Sequence, residues 1–567
     1  MRLSPLLLFL PALVLAKGEV REPEAATGLS ERQAVTGQKL MMATANPLAT
    51  QAGFEMLSRG GSAVDAVIAA NLVLTLTEPQ SSGIGGGAFM MIWDRQQQSL
   101  RMLDARETAP RAATPELFLT GDQAMDFFEA LVGGRSVGVP GLIKGFWEAH
   151  RRHGKLPWPE LFAPAIRLAL EGFEVSPRLA KLLAIDLNPG LRQSETAREY
   201  FYPHGQPLKA GARLKNPALA ESLLAIAEQG PQAFYEGPLA ETMVKVVRGH
   251  KGNPGLLALA DLKAYQPQWR EVLCSPYRQY RVCGAPAPAG GLVVSQLLGL
   301  LDRLPAHKLA SWNADSVHLF SQASRLAFAD RNRYLADPDF VEVPAEAMLA
   351  PKYLDQRARL ITDRDEPKVA GELLKRLDTA SPELPSTSHL VAIDGDGNAV
   401  SMTASIEMGF GSTLMAGGFL LNNQLTDFNF VPRVNGERVA NRAQGGKRPR
   451  SSMAPVMVFK GPQLQGLVGS PGGSRIINYV AKTLVGVIDG GLDIQQAISL
   501  PNVTNRNDYT ALEKGTAAEA WVAPLKARGH QIKVQDLNSG IQGLWRLPDG
   551  RWQGGADPRR EGMVLAQ

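Results

Sequence analysis

Thr387 has the residue type and the setting for chemistry. It stands where a polar stretch with Pro367, Pro382 and Pro385, running from Glu366 to Ser386, passes into the strand-like run Ser388-His389-Leu390-Val391-Ala392-Ile393. Inside an intact chain a threonine is a weak nucleophile without a base. If the chain were cut before it, Thr387 would carry a hydroxyl and a free α-amine on one carbon. An α-amine titrates near about 7.7–8.0, so it can take the proton of the hydroxyl. The chain therefore reads as a precursor that cuts itself between Ser386 and Thr387, giving a large piece (17–386) and a small one (387–567). A plain linker would show the same prolines; the loop a self-cutting site needs is one free to adopt strain.

The elements that must hold this residue follow. Asp394-Gly395-Asp396-Gly397-Asn398 reads as a hairpin turn, with a second strand from Ala399 to Ile406. Asp394, Asp396 and Asn398 fit the alternating ligand positions of a calcium loop. Ala399 stands where that loop needs glycine, and Ser405 where it needs glutamate, so the reading is a turn. Upstream, Met41 to Ala45 reads as a short strand, Pro47 begins a helix stopped at Gly60-Gly61, and Ser62 to Leu76 is a helix apolar nearly all round. The cluster Gly83-Ile84-Gly85-Gly86-Gly87 lacks the lysine of a phosphate loop and is followed by a strand, Phe89 to Trp93. It reads as close backbone packing beside a buried site. His150 and His153, flanking Arg151 and Arg152, read as a solvated helix end rather than a metal pair. Helical segments continue to about residue 250, and another helix spans Ala314 to Leu335. Lys17 to Gln38 reads as polar and mobile.

Five segments occur in order: Thr387-Ser388-His389; Asp396-Gly397-Asn398-Ala399-Val400; Leu421-Asn422-Asn423-Gln424-Leu425-Thr426-Asp427-Phe428; Lys447-Arg448-Pro449-Arg450-Ser451-Ser452-Met453; and Gly469-Ser470-Pro471-Gly472-Gly473-Ser474-Arg475. With Leu103-Asp104-Ala105-Arg106-Glu107 before them, this pattern resembles the γ-glutamyltranspeptidases (glutathione hydrolases), within the N-terminal-nucleophile hydrolases. The resemblance runs from about residue 36 to the C-terminus.

The resemblance implies an α+β fold: a four-layer αββα sandwich made by two chains that stay intertwined after self-cleavage. It implies Thr387 as nucleophile and Ser405, a threonine in well-known members, as the hydroxyl that hydrogen-bonds it. It implies the amides of Gly472 and Gly473 as the oxyanion hole. Arg106, which by itself reads as an ordinary surface arginine, matches the residue gripping the substrate α-carboxylate, helped by Ser451 and Ser452. Gln424 and Asp427 match contacts to the α-amino group. Glu407 departs from the asparagine of many members and puts donor preference in question. Residues 429–446 fall where some members carry a lid tyrosine, and contain none. The implied activity cleaves the γ-glutamyl amide of glutathione-like compounds and passes the acyl group to water, an amino acid or a peptide, with no cofactor or metal. The alternatives are a glutaryl-type acylase of the same fold and a catalytically silent, exported γ-glutamyl-peptide binding protein.

Bulk properties bound the rest. The chain has 567 residues, 44% hydrophobic and 20% charged, the mix of a folded enzyme. A net charge of +5 without a block of like charge argues against nucleic acid as a partner. Arg2, the apolar run Leu6 to Leu15 and Val14-Leu15-Ala16 read as a secretory signal over 1–16, implying a periplasmic or secreted protein without a stable membrane anchor. Cys274 and Cys283 either pair across a hairpin or remain separate thiols.

Overall fold

The computed structural model describes residues 28–376 and 386–567. The signal reading of 1–16 and the proline-containing segment 377–385 lie outside the described residues.

One sheet has seven strands in the order Met563–Ala566, Met41–Thr44, Ser388–Ile393, Ala399–Ser405, Gly87–Asp94, Ser99–Asp104, Gln268–Glu271, and every neighbour is antiparallel. Successive side chains of a strand face opposite ways. Leu390, Ala392, Val400, Met402, Met90 and Ile92 accordingly pack with the helices Pro47–Ser58 and Ala63–Thr77. Val391, Ile393, Phe89 and Met91 pack the other way, against Val282, Val458, Leu467 and Leu544 of a second seven-stranded sheet. That sheet is covered beyond by Gly291–Asp302 and Ile476–Ile488. The layers are helix, sheet, sheet, helix, as expected.

The strands after Thr387 lie in the middle of the first sheet, between Met41–Thr44 and Gly87–Asp94. Segments from both sides of residues 386 and 387 thus share one hydrogen-bonded sheet. The turn before Ala399 is tied by Asp394, whose Oδ1 accepts from the Asp396 and Asn398 amides while Oδ2 accepts from Ala63 N at the start of Ala63–Thr77.

Two local readings need correction. The stretch read as mobile to Gln38 contains a strand, Val35–Gly37, paired with Trp552–Ala556 at the edge of the second sheet; pairing with distant residues overrides a polar local composition. His150 is not solvated: its Nε2 lies 2.8 Å from the Leu156 carbonyl oxygen and its ring 5.3 Å from Trp158. The cysteines are bonded to each other. They sit opposite one another in the antiparallel pair Leu273–Tyr277 and Tyr280–Gly284, where facing side chains are close enough to bridge.

Buried imidazoles give the fold a pH dependence. His389, enclosed between the sheets with Nδ1 2.9 Å from Thr403 Oγ, is pushed down to about 3 by burial. His530, between His318 and Thr510, is pushed down to about 4, by burial first. A base whose folded pKa is depressed stays neutral when folded, while the unfolded chain takes the proton. Its stabilising contribution is full above about pH 6.5 and is lost as pH falls toward the folded values of about 4 and 3. Urea midpoints should therefore fall steadily from pH 7 to pH 4, and His530→Gln should flatten that fall. An unchanged slope would remove His530 from the account.

Candidate active site

The strand Ser388–Ile393 begins one residue after Thr387, so the nucleophile candidate sits at a strand end with its backbone fixed by the sheet. Ser405 ends the neighbouring strand, and the antiparallel register, pairing Ser388 with Ala404, brings the two hydroxyls together. Thr387 Oγ donates to the Ser386 carbonyl oxygen (2.5 Å) and lies 3.3 Å from Ser405 Oγ. Ser405 Oγ also donates to the Ser386 carbonyl (2.9 Å) and accepts from the Glu407 amide (2.8 Å). The carbonyl of the Ser386–Thr387 bond thus receives two hydroxyls. Gly86 permits this approach: a Cβ there would stand 2.2 Å from the Ser405 carbonyl oxygen.

One small cavity, about 20 Å³, is lined by Arg106, Ser386, Thr387, Ser405, Glu407, Gln424, Asp427, Ser451, Ser452 and Gly473. Of the residues singled out in the sequence, only Gly472 is not part of its wall; it directly precedes Gly473. Gly472 and Gly473 have φ +132° and +55°, left-handed values that favour glycine. They open the turn Gly473–Arg475, which runs into the helix Ile476–Ile488. No acceptor among the described residues takes either glycine amide, and the N-terminus of a helix favours negative charge.

Arg106 is buried, not at the surface. Its Nη2 donates to Asp427 Oδ2 (2.5 Å) and to the Arg450 carbonyl (2.9 Å). Gln424 Nε2 donates to the same Asp427 oxygen (2.7 Å). Ser452 Oγ accepts from Arg331 Nη2 (2.7 Å), and Ser451 Oγ from the Met453 amide (3.2 Å).

Glu407 adopts φ +79°, a strained value for a residue with a side chain. Its carboxylate accepts from Asn423 Nδ2 (2.5 Å). Burial, and then the negative charge of Asp427, hold its pKa well above the usual carboxylate range. Glu107 is pushed up to about 8, by burial first, and its carboxyl lies against Gly87.

Sequence reading missed Arg560, whose Nη1 donates to the Thr387 carbonyl (3.0 Å) and whose Nε donates to the Ser539 carbonyl (3.0 Å). It missed Asn423 and Arg331 as partners, and Gln80, whose carbonyl accepts from Ser386 Oγ. Asn423 stood inside a quoted motif and could have been found there; Arg560 is distant in sequence and carried no signal. A hydroxyl held against the Ser386 carbonyl, with paired amides and a cation–carboxylate set nearby, is equipped for acyl transfer from an amide.

These layers, with a threonine at the start of a central strand, define an N-terminal-nucleophile-type hydrolase fold. The family model described as Gamma-glutamyltranspeptidase matches residues 49–567, and the chain belongs to that family. It is 36% identical over 536 residues to the glutathione hydrolase proenzyme of Escherichia coli (strain K12), covering 93% of this chain and 91% of that protein. It is 34% identical over 559 residues to the acylase ACY 1 proenzyme of Pseudomonas sp. (strain V22), covering 96% of each. The crystal structure of cephalosporin acylase from Bacillus halodurans superposes with a TM-score of 0.84 at 31% identity, covering 95% of this chain and 97% of that one. Among the described residues no helix is long and apolar enough to cross a membrane.

Proposed function

We propose that the chain is an exported, self-processing γ-glutamyl hydrolase and transferase. In the precursor, Thr387 Oγ attacks the Ser386 carbonyl carbon while Ser405 holds the carbonyl oxygen. The amide nitrogen leaves as the amine of Thr387, and water hydrolyses the resulting ester. The pieces 17–386 and 387–567 remain one heterodimer because their strands alternate in a single sheet. In the mature enzyme the Thr387 amine takes the proton of its own hydroxyl, which attacks the γ-amide of the donor. The Gly472 and Gly473 amides stabilise the oxyanion, the leaving amine takes the proton, and water or an amine acceptor releases the acyl group.

The observation that carries the donor class is the buried set Arg106, Gln424, Asp427 and Glu407 beside Thr387. Arg106, with Ser451 and Ser452, suits an α-carboxylate; Nη1 of this arginine has no partner among the described residues. Two adjacent buried carboxyls suit an α-ammonium, which would offset the burial and the Asp427 charge that hold the Glu407 carboxyl above its usual range. A glutaryl group has no ammonium to offer. The relatives named acylases favour an acylase of the same fold as the second reading, with a glutaryl side chain as its test case.

The discriminating measurement is kcat/KM on γ-glutamyl and glutaryl anilides. We expect the γ-glutamyl anilide to be preferred, and a glutaryl preference would sink the proposal. Glu407→Gln should lower kcat/KM on the γ-glutamyl anilide by about 10–100-fold, the worth of a hydrogen bond to a charged group, and leave slow glutaryl turnover unchanged. Equal losses on both substrates would exclude an ammonium contact.

A further inference from the structure

Thr387 is held from two sides, and a cut before it removes one of them. On the side of the large piece, the Ser386 carbonyl accepts from Thr387 Oγ (2.5 Å) and Ser405 Oγ (2.9 Å), and Ser386 Oγ is tied to the Gln80 carbonyl. Breaking the Ser386–Thr387 bond frees Thr387 from this anchor and makes it a chain end, and chain ends fray unless tied down. The sheet ladder does not reach it: the register of Ser388–Ile393 with Ala399–Ser405 begins at Ser388. The contact with Ser405 Oγ, at 3.3 Å, is long for two hydroxyls.

The other side is a contact on the Thr387 carbonyl. Arg560 Nη1 donates to it and Arg560 Nε donates to the Ser539 carbonyl, each at 3.0 Å. The guanidinium is buried, and two bonds from one planar group fix its orientation. The turn that carries it is itself tied. The Asp557 carbonyl accepts from the Arg560 amide (3.3 Å), Asp557 Oδ2 accepts from Ser539 Oγ (2.5 Å) and the Ile541 amide (2.9 Å), and Arg32 Nη2 donates to the Arg560 carbonyl (2.9 Å). Gly540 makes the room: a Cβ there would stand 2.6 Å from Arg560 Nε and 2.5 Å from Pro471 Cγ. Pro471 directly precedes Gly472 and Gly473. Arg560, Ser539, Gly540, Asp557 and Pro471 all lie in 387–567 with Thr387, so the cut leaves this clamp whole. The peptide plane that holds the Thr387 carbonyl also holds its Cα, and both the amine and the Oγ-bearing side chain branch from that Cα.

We propose that Arg560 is a positioning residue of the mature enzyme: through the Thr387 carbonyl it keeps the freed N-terminal residue, with its amine and hydroxyl, in place against the donor amide. Ser386 shares that task only before the cut. The inference rests on Thr387 as the mature nucleophile and deepens that reading.

Arg560→Met keeps the length of the side chain and removes its donors. It should still give the two chains, because Ser386 holds Thr387 in the precursor, and the cut itself shows that the variant has folded. Its kcat on γ-glutamyl-p-nitroanilide should fall by about 10–100-fold, the cost of misplacing a reacting group by about 1 Å. The inhibition constant of glutamate, which reads donor binding without acylation, should stay within about twofold. Arg560→Lys, with a point donor in place of the planar fork, should recover most of the lost kcat. A cut Arg560→Met with wild-type kcat would overturn the inference. So would an inhibition constant that rises as far as kcat falls, which marks a loosened site, or a variant of native circular dichroism that stays whole, which moves Arg560 to the cutting step. If Arg560→Met does not fold, Arg560→Lys decides: having lost the fork that spans both carbonyls, it should lose at least about threefold in kcat at an unchanged inhibition constant, and wild-type kcat would overturn the inference. A wild type that cuts itself but turns over only the glutaryl anilide would overturn the donor reading alone. The same constants on that anilide, with glutarate as competitor, would then decide the role of Arg560.

Discussion

Thr387→Ala is expected to leave a single uncut chain under denaturing conditions and to lower γ-glutamyl hydrolysis by roughly 10⁴–10⁶-fold, the range for loss of a catalytic nucleophile. Both effects come from one atom. Without Oγ there is no attack on the Ser386 carbonyl, so no amine is freed, and no hydroxyl remains to take the acyl group. The fold should survive, because the change removes a small side chain and its hydroxyl contacts to the Ser386 carbonyl and Ser405 at the head of a strand fixed by two neighbours. Circular dichroism should match wild type. Thr387→Ser keeps a hydroxyl at the same position and should still cut, more slowly. The check is intact mass with N-terminal sequencing of each fragment. Wild type should give two chains, the smaller beginning at Thr387. A wild-type chain that stays whole for days would remove the free amine the mechanism requires and bring forward the binding-protein alternative.

Arg106→Leu should cost both activity and stability, and the two losses can be separated. The guanidinium and Asp427 are 1% and 7% exposed. Removing one member of a buried pair leaves the other charge uncompensated, at about 3–5 kcal/mol. Gln424 still donates to Asp427, which places the cost at the lower end of that range. Loss of a two-pronged grip on the donor carboxylate should lower kcat/KM by roughly 10²–10³-fold, as for one or two charge-assisted hydrogen bonds. Arg106→Leu combined with Asp427→Asn should regain most of the stability, because no buried charge is left alone. It should regain none of the activity on γ-glutamyl donors. Denaturant midpoints and donor kinetics on the same preparations decide this. Activity restored together with stability would mean that Arg106 only holds the scaffold.

What could be read along the chain was whatever local chemistry determines. A proline-containing stretch passing into an alternating run marked Thr387. The alternation in Ser388–Ile393 and Ala399–Ser405 foretold two strands and a turn, because side chains alternate faces whatever the neighbours. Five ordered segments carried the family resemblance, and through it the αββα layers and nearly all residues of the cavity wall. What depended on distant partners was decided only in three dimensions. Arg106 read as a surface arginine until Asp427, Arg450 and Pro449, all over 320 residues away, enclosed it. Cys274 and Cys283 were an open pair until the strand register set them face to face. Val35–Gly37 looked mobile because its hydrogen-bond partners, Trp552–Ala556, lie at the other end of the chain. Arg560 gave no sign of reaching Thr387. Glu407 could be seen as a departure from the family, but not as a strained neighbour of Asp427 whose pKa burial and that charge hold up, because burial and the distance between charges belong to the folded molecule. Propensity and periodicity act within a few residues, whereas charge pairing, burial and sheet register are set by contacts between segments that the sequence keeps far apart.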